Sequence, residues 1–256
     1  MPKSPKTSPD RQRPASKQMR RRPGVMGSVI KTFEVLDVFG REWRPLSFAE
    51  LCRATGQPKS SLHRVLSTLV QAGALEQNER GLYHLTLKLW RIGAQALTEI
   101  DVLQVARPHL EKLSKAADET VHLAILERDH GVIYLAKVES PRSIRVQTQV
   151  GRVSPSWCTA TGRAILAFDP TGRERILATP KQKFTPATVI DSKRLRQILE
   201  EVANKGFAVT KGENQAEMGG IAAPIRDHSG KIIASCGVAI PAFRMDEELI
   251  KRCTAL

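Results

Sequence analysis

Residues 43–86, WRPLSFAELCRATGQPKSSLHRVLSTLVQAGALEQNERGLYHLT, constrain this chain more than any other stretch. They spell two helices joined by a tight turn, then a short β-hairpin. The first helix starts at Ser47. Glu50 stands three residues on, so the side chain of each can serve the backbone N–H of the other, a capping box. Gly56-Gln57-Pro58 ends that helix: glycine accepts a left-handed backbone and proline cannot extend the hydrogen-bond ladder. Lys59-Ser60-Ser61 opens a second helix that runs to Gly73.

Leu62, Val65, Leu66, Leu69 and Val70 give the second helix an apolar stripe at helical spacing. Ser60, Arg64, Ser67 and Gln71 then point the other way, with Lys59, Ser61 and His63 beside them. This face holds hydrogen-bond donors and cations but no carboxylate. It suits a recognition helix, in which Arg64 pairs with a guanine edge and the serines reach bases or phosphates. The helix start can itself meet a phosphate. The plainer alternative is a helix pair with a solvated polar side. The hairpin that follows, Ala74–Glu76 and Leu82–Leu85 about a turn at Gln77–Gly81, favours the DNA-binding reading. It forms a wing anchored by Leu75, Leu82, Tyr83 and Leu85, with Arg80 at its tip either entering the minor groove or simply solvated.

Charge agrees with a nucleic-acid partner. Residues 1–24 hold eight cations, Lys3, Lys6, Arg11, Arg13, Lys17 and Arg20 to Arg22, against Asp10, which is half of the chain's net charge of +14. This Pro- and Ser-rich tail has too few apolar residues to fold alone; it either attracts phosphates or keeps the chain soluble. The N-terminus lacks the apolar stretch of a signal peptide, and no apolar run reaches membrane-spanning length. Cys52, Cys158, Cys236 and Cys253 form no CxxC pair, and no histidine lies at ligand spacing. A cytoplasmic protein without structural metal or cofactor is expected.

Residues 87–99 continue as a helix with Leu87, Trp90, Ala94 and Leu97 on one face. Asp101 caps another, along which Leu103, Ala106, Leu110, Leu113 and Ala117 recur; Pro108 either starts a fresh helix or kinks this one. The apolar period then changes to two. Strands are predicted at Thr120–Leu126, Val132–Val138 (after an Asp129-His130-Gly131 turn) and Ser143–Val150, and again at 206–211, 220–227 and 231–240. Helices are predicted near 159–168, 173–178 and 193–204. Six strands with helices inserted midway define an α+β domain on an antiparallel sheet.

Within it, Cys158-Thr159-Ala160-Thr161-Gly162 marks a loop turning into a helix, capped by Ser156, Cys158 or Thr159. Its free N–H groups can hold a carboxylate, and the small Ala160 and Gly162 allow a ligand close to the backbone. A capped helix packed on the sheet is the competing reading. If Cys158 were instead an activated thiol, His122 or His109 could act as base; a redox sensor at Cys158 is a further alternative. The chain has no nucleophile elbow and no cofactor loop, so no catalytic residue is assigned.

The order of these segments resembles the IclR-type transcriptional regulators. The resemblance rests on Ser28–Leu36 (SVIKTFEVL), Pro58–Leu66 (PKSSLHRVL), Tyr83-His84-Leu85, Cys158–Ala164 (CTATGRA), Glu213-Asn214 and Gly220–Ile225 (GIAAPI), and covers most of residues 26–245. It implies a winged helix-turn-helix domain at 25–86, a linker helix at 87–100 and a GAF-like effector domain at 101–256. It also implies a homodimer, or a dimer of dimers, on double-stranded operator DNA of a catabolic operon. Trp90 would then anchor a dimer contact, unless it packs inside its own domain. In the family, small-acid effectors lie between the 158–162 helix start and later strands, with Asp common where this chain has Thr210 and Cys where it has Gly220. Polar residues of some members fall at Gly237 and Ala239. Four such losses would remove hydrogen-bond partners and add space, implying a larger, flatter, partly apolar acid, such as an aromatic one. The closing helix after Asp246 looks short for the family.

Overall fold

The computed structural model describes residues 25–98, 101–127 and 131–256. The basic tail at 1–24, the end of the expected linker helix at 99–100 and most of the turn expected at 129–131 lie outside the described residues. The chain divides into two compact units, one ending at Thr86 and one beginning at Leu87.

The first unit packs three helices, α1 (Gly27–Glu42), α2 (Phe48–Thr55) and α3 (Lys59–Gln71), against a hairpin of β1 (Leu75–Gln77) and β2 (Tyr83–Leu85). Ser47 and Glu50 form both bonds of the capping box. Gly56 ends α2 in the left-handed region at φ 64°, its N–H on the Cys52 carbonyl. The next residue locks the turn to α1: the buried Gln57 amide donates to the Lys31 carbonyl at 3.0 Å and to the Glu34 carboxylate at 3.1 Å. Leu62, Leu66 and Leu69 of α3 are buried with Val35, Phe39 and Leu51. Val70 is exposed, because a helix lying on two neighbours covers a narrower stripe than its apolar pattern offers. Leu85 is exposed too, so it does not anchor the wing. That role belongs to the buried Leu46 and Leu75, since Leu46 bridges Tyr83 and adds a third edge to the hairpin.

In the second unit α4 (Leu87–Thr98) and α5 (Asp101–Ala117) precede β3 (Thr120–Leu126), β4 (Gly131–Val138) and β5 (Val153–Pro155). Then come α6 (Ala160–Leu166), α7 (Pro170–Ala178), α8 (Ser192–Lys205), β6 (Ala208–Lys211), β7 (Met218–Arg226), β8 (Ile232–Pro241) and α9 (Glu247–Thr254). The six strands make one antiparallel sheet in the order β5-β4-β3-β8-β7-β6. Both faces are covered, which explains why Thr120 to Ala124 are buried without a break. Val121 and Leu123 pack with Ala106 and Leu110 of α5; on the other face Ala160 and Ala164 of α6 pack with Leu195 and Leu199 of α8 and Ala222 of β7. The domain is α+β and GAF-like.

Three expectations are corrected. Residues 143–150 form no strand. Side chains occupy their carbonyls in place of a neighbouring strand: Thr120 donates to Val146 O at 3.3 Å, Arg244 to Ile144 O at 2.9 Å and Lys137 to Thr148 O at 2.9 Å. The third strand is instead β5, paired to β4 from Val153. Pro108 does not start a fresh helix, for α5 runs through it. Finally, α7 starts at Pro170, three residues before the expected 173, because the Asp169 carboxylate accepts from Gly172 N and Pro170 suits the first helical turn.

Candidate functional site

The polar face of α3 is where the sequence put it. Lys59, Ser60, His63, Arg64 and Ser67 are exposed, and Ser61 is half-buried. The Arg64 guanidinium makes no ion pair among the described residues. The His63 ring sits edge-on to Phe48, centroids 6.3 Å apart, which sets its orientation beside the face. Pro58 precedes α3 and supplies no side-chain cap, and the first turn has no acidic residue. An anion can therefore approach those N–H groups without displacing a side chain. At the wing tip, the Asn78 side-chain oxygen accepts from the amides of Arg80 and Leu82 at 3.1 and 3.0 Å, and Gly81 takes φ 75°. That turn holds Arg80 exposed at the end of the hairpin.

The second unit holds a partly open cavity of about 60 Å³ between the start of α6 and the sheet. It brings together Cys158, Thr159, Ala160 and Thr161 with Thr210, Gly220, Gly237 and Ala239, eight of the nine positions expected to bind an effector. Thr159 is the cap, accepting from Gly162 N at 3.3 Å. Gly162 itself does not line the cavity. A Cβ there would lie 2.3 Å from the Ser156 carbonyl oxygen, so its glycine serves the close packing of α6 on the preceding 3₁₀ turn. Gly162→Ala is therefore expected to cost about 1–3 kcal/mol of stability by overpacking; a melting temperature equal to that of the parent chain would contradict this.

The small residues of β7 and β8 do not enlarge the cavity as expected. A Cβ on Gly220 would stand 3.3 Å from the Ala160 Cβ, and one on Gly237 would stand 2.7 Å from the Thr161 methyl. The missing side chains let α6 sink onto the sheet, so the space is spent on packing. Nor is the wall short of polar groups. His122 of β3, Tyr134 of β4, Thr148 of the irregular segment and Asn214 of the β6–β7 connection all line it, as does Met218. Sequence reasoning named His122 only as a base for the rejected catalytic alternative and missed the others as site residues.

His122 is buried, hydrogen-bonded through Nε2 to the Thr148 hydroxyl, and 4.8 Å from the Tyr134 ring centroid. Burial, helped by the Lys137 ammonium, lowers its pKa to about 4, so the ring is neutral. Burial also pushes the Cys158 thiol up to about 12, with Arg163 opposing and Glu213 adding. A thiol so protonated is a poor nucleophile and a poor peroxide sensor, which argues against both alternatives built on Cys158. In native protein at pH 8, its alkylation by iodoacetamide should be slower by on the order of 10³-fold than in denaturant. Peptide mapping showing equal rates would overturn that.

Arg163 of α6 holds the cavity's rim in shape. It is fully buried and grips both Glu213 oxygens, at 2.7 and 2.5 Å, while its Nε donates to Trp157 O at 2.8 Å. Thr188 donates to Glu213 O at 2.6 Å. The fork thus ties the Glu213-Asn214 loop to α6 and to the segment before α8. Among the described residues, no His, Cys, Asp or Glu cluster could hold a metal ion, and no helix is long and apolar enough to cross a membrane.

Residues 28–79 match the IclR helix-turn-helix domain, and residues 94–256 match the family described as bacterial transcriptional regulator IclR C-terminal. The chain is 31% identical over 245 residues to the HTH-type transcriptional regulator KdgR of Escherichia coli K12, covering 94% of this chain and 92% of that protein. Among solved structures it is similar to an IclR regulator from Silicibacter sp. TM1040 (TM-score 0.76, 28% identity, 90% of this chain and 91% of that one). It is also similar to an IclR homologue from Microbacterium hydrocarbonoxydans solved with 4-hydroxybenzoate (TM-score 0.72, 27% identity, 90% and 96% covered). A winged helix-turn-helix in one unit and a GAF-like fold in the other define a DNA-binding transcriptional regulator. The chain belongs to the IclR family of these bacterial proteins.

Proposed function

We propose that this chain is a ligand-responsive regulator of a catabolic operon, in which α3 and the Arg80 wing read operator DNA and the cavity beneath α6 senses a small organic acid. The observation that carries the reading is the α3 face: exposed donors, unpaired Arg64, no carboxylate and no cap. A homodimer, or a dimer of dimers, is supported by apolar side chains left exposed on α4, where Leu87 is 81%, Trp90 70% and Ile92 60% accessible. Trp90 is therefore not a core residue of its own unit, which favours the interface role. Two copies of α3 in a symmetric dimer would meet half-sites about one helical turn, or a multiple of it, apart. An acid that binds two domain arrangements unequally then changes operator affinity.

The effector reading is a monocarboxylic acid held by the hydroxyls of Thr161 and Thr210 and by His122. A cavity of about 60 Å³ has room for roughly four water molecules, which suits an acid of pyruvate size. A ring acid is the second reading, favoured by the 4-hydroxybenzoate held in the Microbacterium homologue; it needs Met218 or the 143–150 segment to give way. Calorimetry with pyruvate, glyoxylate, benzoate and 4-hydroxybenzoate separates them. Heat from the compact acids alone supports the first reading, and heat from the ring acids alone supports the second. Silence from all four removes the acid-sensing proposal.

A further inference from the structure

We propose that the acid enters this cavity together with a proton, and that His122 is the group that takes the proton up. The inference rests on reading the cavity as an effector site. A carboxylate moved from water into a partly enclosed space is favoured by a counter-charge, since taking an unpaired charge out of water is penalised. Among the described residues that line the cavity, none is lysine or arginine. Its one carboxylate, Glu213, is already matched by Arg163. His122 is the wall side chain that can become a cation near neutral pH.

Its surroundings allow the change. From β4 the imidazole meets the Tyr134 ring, and the Lys137 ammonium acts on it from its register partner. From the irregular segment it meets Thr148, and from β8 it faces Gly237, which offers no side chain. The 3₁₀ turn before α6 contributes the protonated Cys158 to the wall, and the β6–β7 connection contributes the paired Glu213. Among the described residues, no carboxylate is hydrogen-bonded to the imidazole. A carboxylate brought against Nε2 would raise the ring's pKa, as any close opposite charge does. The proton comes from solvent. Nε2, as imidazolium, then donates to the acid's oxygen in place of its bond with the Thr148 hydroxyl.

The sign follows from linkage. Binding raises the pKa of His122 from its lowered value of about 4, so affinity is greatest at low pH. It falls about tenfold per pH unit until the pKa of the bound state is passed. The test is calorimetry of the full chain with pyruvate and with 4-hydroxybenzoate at pH 6.5, in buffers of different ionisation enthalpy, repeated from pH 5.5 to 7. For whichever acid binds, about one proton should be taken up per acid, with about a tenfold loss of affinity per pH unit. His122→Gln keeps a polar side chain that cannot take the proton, so uptake should vanish. If that variant does not fold, the buffer series on the parent chain decides alone. Binding with no proton uptake and a flat pH profile would overturn the role of His122 while leaving the effector site standing. If neither acid binds, the reading of the cavity falls and this inference with it.

Discussion

Replacing Arg163 with alanine should lower the unfolding free energy of the second unit by about 3–5 kcal/mol, the range for breaking one side of a buried ion pair. Arg163 is 1% accessible, and its fork satisfies both carboxylate oxygens of Glu213, a residue 8% accessible. Removing it leaves that buried carboxylate facing the Val189 N–H at 3.5 Å without its counter-charge, and leaves the Trp157 carbonyl without its Arg163 donor. Glu213→Ala should cost a similar amount, and the double variant less than the sum, because the second loss removes a charge that the first left unpaired. Urea denaturation reads this directly. A loss under about 1 kcal/mol for Arg163→Ala would mean that the pair is not what holds α6 to the β6–β7 connection.

Arg64→Ala should weaken binding to the cognate operator by about 1–3 kcal/mol, roughly 5- to 150-fold, and relax selectivity at one base position. The residue carries this weight because it is the cation at the centre of an otherwise hydroxyl-lined face, and among the described residues no carboxylate pairs with it. Its backbone carbonyl accepts the Thr68 hydroxyl at 2.7 Å, an i−4 bond that leaves the guanidinium free. Ser60→Ala or Ser67→Ala should cost less. Lys59→Ala, acting on phosphates, should weaken all sequences alike and flatten the salt dependence. An unchanged isotherm for Arg64→Ala, with site selectivity intact, would put a different surface against DNA.

The first unit was legible because its signals are local. A capping box, two glycines at positive φ and a helical apolar period each act within a few residues, and each stands in the structure where the sequence placed it. Exposure was less legible: Val70 and Leu85 fit their patterns and still face solvent, since the pattern does not say how wide a neighbour is. In the second unit the sheet and its helices were legible from their periods, but residues 143–150 were not. Alternating residues look like a strand whether their carbonyls meet another strand or the side chains of Thr120, Lys137 and Arg244.

The candidate cavity was half legible. The start of α6 was read from its own residues and the β6–β8 positions from the resemblance to the family, and the fold gathers them. His122, Tyr134 and Thr148 reach the same cavity from β3, β4 and a segment with no regular structure, and no spacing in the sequence announces that. The glycines misled for a related reason. Whether a missing Cβ leaves space depends on what approaches it, and at Gly220 and Gly237 the approaching groups are Ala160 and Thr161. Arg163 and Glu213, 50 residues apart, were likewise visible only as parts of two separate motifs.

Footprinting of the full chain on its own promoter region, against random DNA of equal length at physiological salt, bears most directly on the claim that this is a sequence-reading regulator. Protection of one short dyad-symmetric site, preferred over random DNA by about 10³-fold or more, is the expected outcome. Uniform protection at the same affinity on both DNAs would contradict it and leave only the attraction of a basic chain for phosphates.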